Sequence, residues 1–231
     1  MENQPVKRVI VVTGGASGLG AEIGKALARD SRNYLHSVDL ESGIDVRDPQ
    51  GLQALERVDI LINCAGINAQ DWIEDVTLES WNRVMDTNAR AILTMTQALL
   101  PQLIESRGTI LNITSNAAWM PMTCSIAYNA SKAAAHIMTL QMARELTRKY
   151  GITVFGVAPN KLRGTGMSAE IERQVLRTRG WSAEFAREYQ LKALLTGEET
   201  DPAVLADFIA YLLAERRNHS QLSGCIIPYG S

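Results

Sequence analysis

Tyr128 and Lys132 stand four residues apart in Tyr-Asn-Ala-Ser-Lys, at the head of a stretch, residues 127–150, whose pattern predicts a helix. That spacing stacks the two side chains on one helical face. A free phenol titrates near ~10, too high for it to serve as a base toward an alcohol at neutral pH. An ammonium beside it stabilises the phenolate, and bringing the phenol to ~7 takes about 4 kcal/mol of differential interaction. The pair therefore predicts an acid/base tuned toward neutrality. An ordinary half-exposed helix face could carry the same two residues, so the weight falls on what lies upstream.

The chain opens with a β-branched run at residues 9–12. Thr-Gly-Gly-Ala-Ser-Gly-Leu-Gly (residues 13–20) follows, and then a helical pattern through Arg29. Strand, glycine turn and helix in that order make a dinucleotide site. Gly14, Gly18 and Gly20 let backbone approach a pyrophosphate, with Ser17 and Leu19 in the same turn, and the helix N-terminus offers free N–H groups. A second strand, residues 34–38, ends at Asp39. A carboxylate at this distance from the glycines accepts from a ribose 2′-hydroxyl and repels a 2′-phosphate. No Arg or Lys accompanies it, so the expected cofactor is NAD rather than NADP.

Taken together, these residues resemble the short-chain dehydrogenase/reductase family. The glycine turn is similar to that family's T-G-x-x-x-G-x-G. Asp45-Val46 resembles its adenine-contacting pair, and Asn63-Cys64-Ala65-Gly66 its N-x-A-G element. Asn88 falls at the family's helix asparagine, and Ser115 precedes Tyr128 by the usual interval. The resemblance implies a catalytic tetrad of Asn88, Ser115, Tyr128 and Lys132, with Asn88 on a water-linked proton path to Lys132. It implies cofactor contacts from Gly14, Ser17, Gly18, Leu19, Gly20, Asp39, Asp45, Val46, Asn63, Ala65, Gly66, Tyr128, Lys132, Pro159 and Thr165. Read locally, Ser115 before Asn-Ala-Ala also suits a helix N-cap. At the C-terminal end of a parallel strand its hydroxyl could equally hold a substrate oxygen.

Two departures stand out. Pro159-Asn160 replaces the family's Pro-Gly, and asparagine tolerates the left-handed backbone such a turn can need; it also brings an amide to where nicotinamide or substrate would pass. Between Asp39 and Asp45 the chain is too short for a crossover helix of about a dozen residues. A loop is therefore expected to join the second and third strands.

Strand and helix patterns alternate along all 231 residues. The fold class expected is α/β, a Rossmann-like doubly wound parallel sheet with helices on both faces, as one domain over residues 1–231. Residues 165–197 break the alternation with a charge-mixed helical stretch and are expected to form a substrate lid. Trp119, Met120, Pro121 and Met122, with Trp181 from the lid, suggest an apolar, cyclic alcohol or ketone as substrate. A formal charge of −2 excludes an electrostatic case for nucleic acid or anionic membrane. No apolar run approaches the ~20 residues of a membrane span, and no leader-like pattern precedes the first strand, so a cytoplasmic protein is expected. Three scattered cysteines and three separated histidines give neither a disulfide framework nor a metal site. Helices around residues 90–105 and 127–150 are apolar beyond one stripe, which predicts a homo-oligomer, a tetramer or dimer, joined through them. The activity expected is NAD-dependent interconversion of a secondary alcohol and a ketone; the alternative is a non-catalytic dinucleotide-binding regulator or scaffold on the same fold.

Overall fold

Strand sequences that are apolar at consecutive positions, such as Ile60-Leu61-Ile62 and Ile110-Leu111, need cover on both faces. In the computed structural model, which describes residues 7–230, they receive it. The strands are β1 (Arg8–Thr13), β2 (Asn33–Val38), β3 (Ile60–Asn63), β4 (Thr109–Ile113), β5 (Thr153–Pro159) and β6 (Ile226–Tyr229). All pair in parallel in one sheet, ordered β2-β1-β3-β4-β5-β6. Chain order reverses beside β1, so the turns after β1 and β3 open onto the crevice where such sheets bind ligands.

The helices are α1 (Gly18–Leu27), α2 (Leu78–Met85), α3 (Ala91–Ser106), α4 (Ile126–Met142), α5 (Arg148–Tyr150), α6 (Gly166–Arg179), α7 (Ala183–Lys192), α8 (Pro202–Ala214) and α9 (Arg216–His219). Successive strand residues divide between two cores. Ile10, Val12, Ile62 and Leu111 pack with Ile23 of α1 and Leu205 and Ile209 of α8. Val11, Leu61 and Ile110 pack on the other face with Met95, Leu99 and Leu103 of α3. A π-helical turn, Asp86–Arg90, joins α2 to α3, and a second, Ala143–Thr147, joins α4 to α5. Such wide turns commonly re-aim one side chain at a functional site, and Asn88 lies inside the first.

The segment at Asp45 forms the expected loop. Asp45 accepts from the Arg47 backbone N–H (2.9 Å) and holds its guanidinium, which tightens the chain into a turn with only an isolated Asp45–Asp48 bridge. As the short spacing predicted, no helix crosses between β2 and β3, apart from a 3-10 turn at Leu52–Ala54. Val46, Leu52 and Val58 from this connection fill the core face that a crossover helix would cover, and β2 becomes the sheet edge.

Gly20 is fixed by a close approach: a Cβ there would lie 2.2 Å from the Gly14 carbonyl oxygen, whereas one on Gly24, a turn later, would meet nothing within 4 Å. Gly20→Ala should therefore destabilise the protein by about 2 kcal/mol or more through overpacking. Gly24→Ala should instead stabilise it by up to about 1 kcal/mol through helix propensity. Thermal melting of the two variants, moving in opposite directions, checks the geometry of the glycine turn.

Candidate active site

The crevice is built first from backbone. Thr13, the last residue of β1, accepts at Oγ1 from the backbone N–H groups of Cys64 (2.9 Å) and Ala65 (3.0 Å), tying the turn after β3 to the glycine turn. Gly14 permits this contact, since a Cβ on it would stand 2.9 Å from Ala65 Cα. Gly18 has φ +53° and faces Thr165, which caps α6 by accepting from Ser168 N–H. At the N-cap of α1 the exposed Ser17 makes no side-chain capping bond. A helix N-terminus with free N–H groups of this kind is one that favours an anion. Leu19 is buried in the core, so only its backbone can serve this turn.

At the end of β2, Asp39 Oδ2 accepts from Ser37 Oγ (2.6 Å) and Oδ1 from Ser42 N–H (2.8 Å). Burial pushes this carboxyl up, but these bonds and the backbone N–H groups of Glu41 and Ala16 outweigh it and hold Asp39 below its ordinary value. It is therefore a carboxylate at neutral pH, set against the glycine turn. Asp45 is taken up by Arg47, and the Val46 side chain is buried in the core while its carbonyl accepts from Thr94. Asn63 also turns inward. Its Nδ2 donates to Asn112 Oδ1 (2.8 Å), and Asn112 in turn donates to Thr139 of α4 (2.9 Å).

Helix α4 delivers Tyr128 and Lys132 to the C-terminal end of β4. Lys132 Nζ is buried, donates to the Ile113 carbonyl (3.0 Å) and lies 5.8 Å from the Tyr128 ring centroid. The face predicted from spacing is thus the face observed. The direction of the phenol's shift is not. Burial pushes Tyr128 above its ordinary value, and the neighbouring Ser115 hydroxyl opposes this only in part. Burial likewise lowers Lys132 to about 8, with Cys64 opposing. Desolvation is the largest influence on both groups, and Tyr128 holds its proton at neutral pH.

Ser115 takes the capping role that the sequence allowed, and it also lies beside Tyr128. It caps the short turn Asn116–Ala118 by accepting from Ala117 N–H (3.2 Å). Asn88 approaches from the opposite side. Its Oδ1 accepts from Ile67 N–H (2.8 Å), and its Nδ2 donates to the Ile67 carbonyl (2.8 Å) and to Ser131 Oγ (3.0 Å). A Cβ on Gly66 would come within 3.4 Å of Asn88 Oδ1 and 3.7 Å of Lys132 Nζ. The amide and the ammonium therefore converge on Gly66, although no direct bond joins them.

Asn160 does not take the left-handed conformation; among the described non-glycine residues only Arg107 and Cys124 have positive φ. Its Oδ1 instead accepts from Thr200 Oγ1 (2.6 Å), which turns the amide toward the end of β6. Sequence reasoning missed three supporting residues. They are Thr13, Ser131 and Asn129, whose side chain holds the carbonyls of Ala117 and Met120 and so fixes the Ser115 loop to α4. Asn129 and Ser131 lie within the Tyr-Asn-Ala-Ser-Lys run, but their role depends on loops remote in sequence. A cavity of about 410 Å³ beside α4, lined by Trp72, Ile73, Met122 and Ile126, does not reach Tyr128 or Lys132. Among the described residues no cluster of metal-binding side chains occurs, and no helix is long and apolar enough to cross a membrane.

The short chain dehydrogenase family model matches residues 49–176. Sorbitol-6-phosphate 2-dehydrogenase of Klebsiella pneumoniae is 30% identical, covering 91% of both chains. A 3-oxoacyl-acyl-carrier-protein reductase of Vibrio cholerae is 27% identical over 89% of each. Among solved structures, a short chain dehydrogenase family protein from Francisella tularensis has a TM-score of 0.84 at 22% identity over 96% of each chain. An actinorhodin polyketide ketoreductase with NADPH has 0.83 at 24%, over 96% of this chain and 95% of its own. At these identities the structural likeness speaks to the fold.

Removing the Asn88 amide unpairs both backbone groups of Ile67. Asn88→Ala is expected to lower stability by about 2–3 kcal/mol, measured by urea unfolding. Unchanged stability would mean that the Ile67 groups find other partners.

Proposed function

This chain belongs to the short-chain dehydrogenase/reductase family, and on that premise we propose that it interconverts a secondary alcohol and a ketone with NAD, using Tyr128 as proton donor and acceptor. The observation that carries this reading is the meeting of Tyr128, Ser115 and buried Lys132 at the C-terminal end of β4. The oxidoreductase assignment is the family's; the cofactor, the residue roles and the assembly are our reading.

The glycine turn, Ser17 and the N-terminus of α1 would hold the pyrophosphate, with Thr165 facing Gly18 across it. Ala65 and Gly66 would lie against the dinucleotide beside Lys132. When bound, the nicotinamide supplies or accepts the hydride. In ketone reduction the Tyr128 hydroxyl gives its proton to the substrate oxygen, and the Ser115 hydroxyl steadies the charge developing there. In alcohol oxidation the same proton returns to Tyr128. The Lys132 ammonium, fixed by the Ile113 carbonyl, favours negative charge on the phenol as its proton leaves. Asn88 holds the Ile67 backbone and so the wall against which Lys132 rests. Names of similar proteins that include both dehydrogenases and a reductase support chemistry in either direction.

Asp39 carries the cofactor preference. Charged and preorganised by Ser37 and Ser42, it can accept from ribose hydroxyls and repel a 2′-phosphate, while Arg47 is engaged with Asp45. Two structural neighbours carry NADPH or NADP, so this preference rests on Asp39 itself. Helices α6 and α7 act as the substrate lid. Ile137 of α4 is 60% exposed and Leu93 of α3 is 42% exposed. Burying them against a second copy supports a homo-oligomer, tetramer or dimer, joined through these helices.

Tyr128→Phe should lower kcat by about 10²-fold or more while dinucleotide binding, followed by fluorescence, persists. Retention of most activity on a verified substrate would sink the proton-transfer assignment. A raised phenol pKa keeps Tyr128 protonated through neutrality. Ketone reduction should therefore hold up at neutral pH and fall in the alkaline range, and alcohol oxidation should climb there, as a pH–rate profile in each direction can test. NAD should exceed NADP in kcat/KM, and Asp39→Ala should narrow the ratio; equal use of both by the unmodified protein contradicts the assignment. Light scattering should give a multiple of the monomer mass.

A further inference from the structure

Beyond β3 the chain continues through residues 66–72 without helix or turn, and its alternate residues meet different surroundings. Ile67 and Ala69 pack with Trp81 and Val84 of α2 and Ala127 of α4. A Cβ on Gly66 would point the other way, 3.7 Å from Lys132 Nζ and 3.9 Å from Met167 Cε of α6. Asn68 and Gln70 alternate along this segment with Ile67 and Ala69. Helix α6 touches the segment at both ends. It meets the segment at one end through Met167. At the other, Trp72 Nε1 donates to the Thr178 carbonyl (3.0 Å) and Asp71 pairs with Arg177 (3.5 Å). From Met167 to Thr178 the helix rises about 16 Å, and from Gly66 to Trp72 an extended chain spans about 20 Å. Asn68 and Gln70 lie in sequence between these contacts with α6.

These two residues are 9% and 5% exposed, yet Asn68 Nδ2, Asn68 Oδ1 and Gln70 Oε1 have no hydrogen-bond partner. Gln174 Oε1 of α6 and Ser125 Oγ at the start of α4 are also buried and unpartnered. Buried polar atoms are nearly always paired, and leaving several unpaired is destabilising. Apolar side chains of the same shape would pack there without that loss. Gly66, two residues before Asn68, lies against Lys132, and neither amide belongs to the proton-transfer set.

We propose that Asn68 and Gln70 form a hydroxyl-reading floor beneath α6 and that the substrate is a polyhydroxylated one, a polyol or sugar. A hydroxyl both donates and accepts, and a primary amide offers both complements, so vicinal hydroxyls match neighbouring amides. The substrate reaches the floor when α6 lifts and pairs the amides when it closes. Trp119, Met120 and Met122, from which an apolar substrate was expected, are 47%, 47% and 39% exposed. The inference rests on the oxidoreductase reading and deepens it by naming the substrate class.

The test assays hexitols, aldohexoses, their deoxy analogues and unsubstituted cyclic alcohols with NAD and with NADP, on the wild type, Asn68→Leu and Gln70→Met. The wild type should favour polyhydroxylated substrates in kcat/KM, and deletion of a read hydroxyl should cost about tenfold or more. Each substitution should lower the ratio of polyol to cyclic-alcohol kcat/KM by about tenfold, mainly through KM, with a melting temperature equal to or above the wild type's. Preference for cyclic alcohols, or an unchanged ratio in both variants, overturns the floor and leaves the oxidoreductase reading standing. If no alcohol is oxidised, that reading fails, and saturation-transfer NMR of a hexitol on the protein with NAD judges the floor alone. Binding weakened in the double variant supports it; no binding to the wild type overturns it.

Discussion

The buried ammonium of Lys132 is the constraint around which the crevice is arranged. A charge taken out of water needs firm partners, and the one it has is the carbonyl at the end of β4. Its placement requires α4 to run close beneath the sheet, and the chain Asn63–Asn112–Thr139 provides a polar stitch from strands to helix. It also requires residues 65–67 to come near, which Thr13 secures from one side and Asn88 from the other. The wide helical turn that carries Asn88 is the local distortion through which this amide reaches Ile67. Removing the ammonium would leave these arrangements without a common centre.

The same burial sets the state of Tyr128. Desolvation lowers Lys132 to about 8 and is also the largest influence on the phenol, which it raises against the opposing Ser115 hydroxyl. The phenol therefore keeps its proton at neutral pH in the protein alone. This differs from a preformed phenolate, in which the ammonium would have lowered the phenol toward neutrality before substrate arrives.

Much of this was legible in the sequence. The consecutive apolar strands implied a sheet covered on both faces, and the Tyr128–Lys132 spacing implied one helical face. The short run after Asp39 implied a missing crossover helix, as observed. What escaped depends on partners distant along the chain. The pairing of Asp45 with Arg47, which bends that segment into a turn, was not visible in the resemblance. Asn160 looked like a stand-in for glycine, but Thr200 claims its side chain. The burial of Asn68 and Gln70 has no signal in the sequence, because it depends on how distant elements pack over them. The direction of the Tyr128 shift was illegible for the same reason: spacing places an ammonium near a phenol but does not give the burial of either.

The central claim, a proton held on Tyr128 by burial, is tested most directly by the phenol's own ionisation. It can be read as the difference between ultraviolet phenolate titrations of the wild type and Tyr128→Phe, without dinucleotide. The account predicts that the phenolate assigned to Tyr128 appears only above its ordinary value of ~10. Ionisation of Tyr128 near neutrality would contradict it and show that the ammonium, rather than burial, controls the phenol.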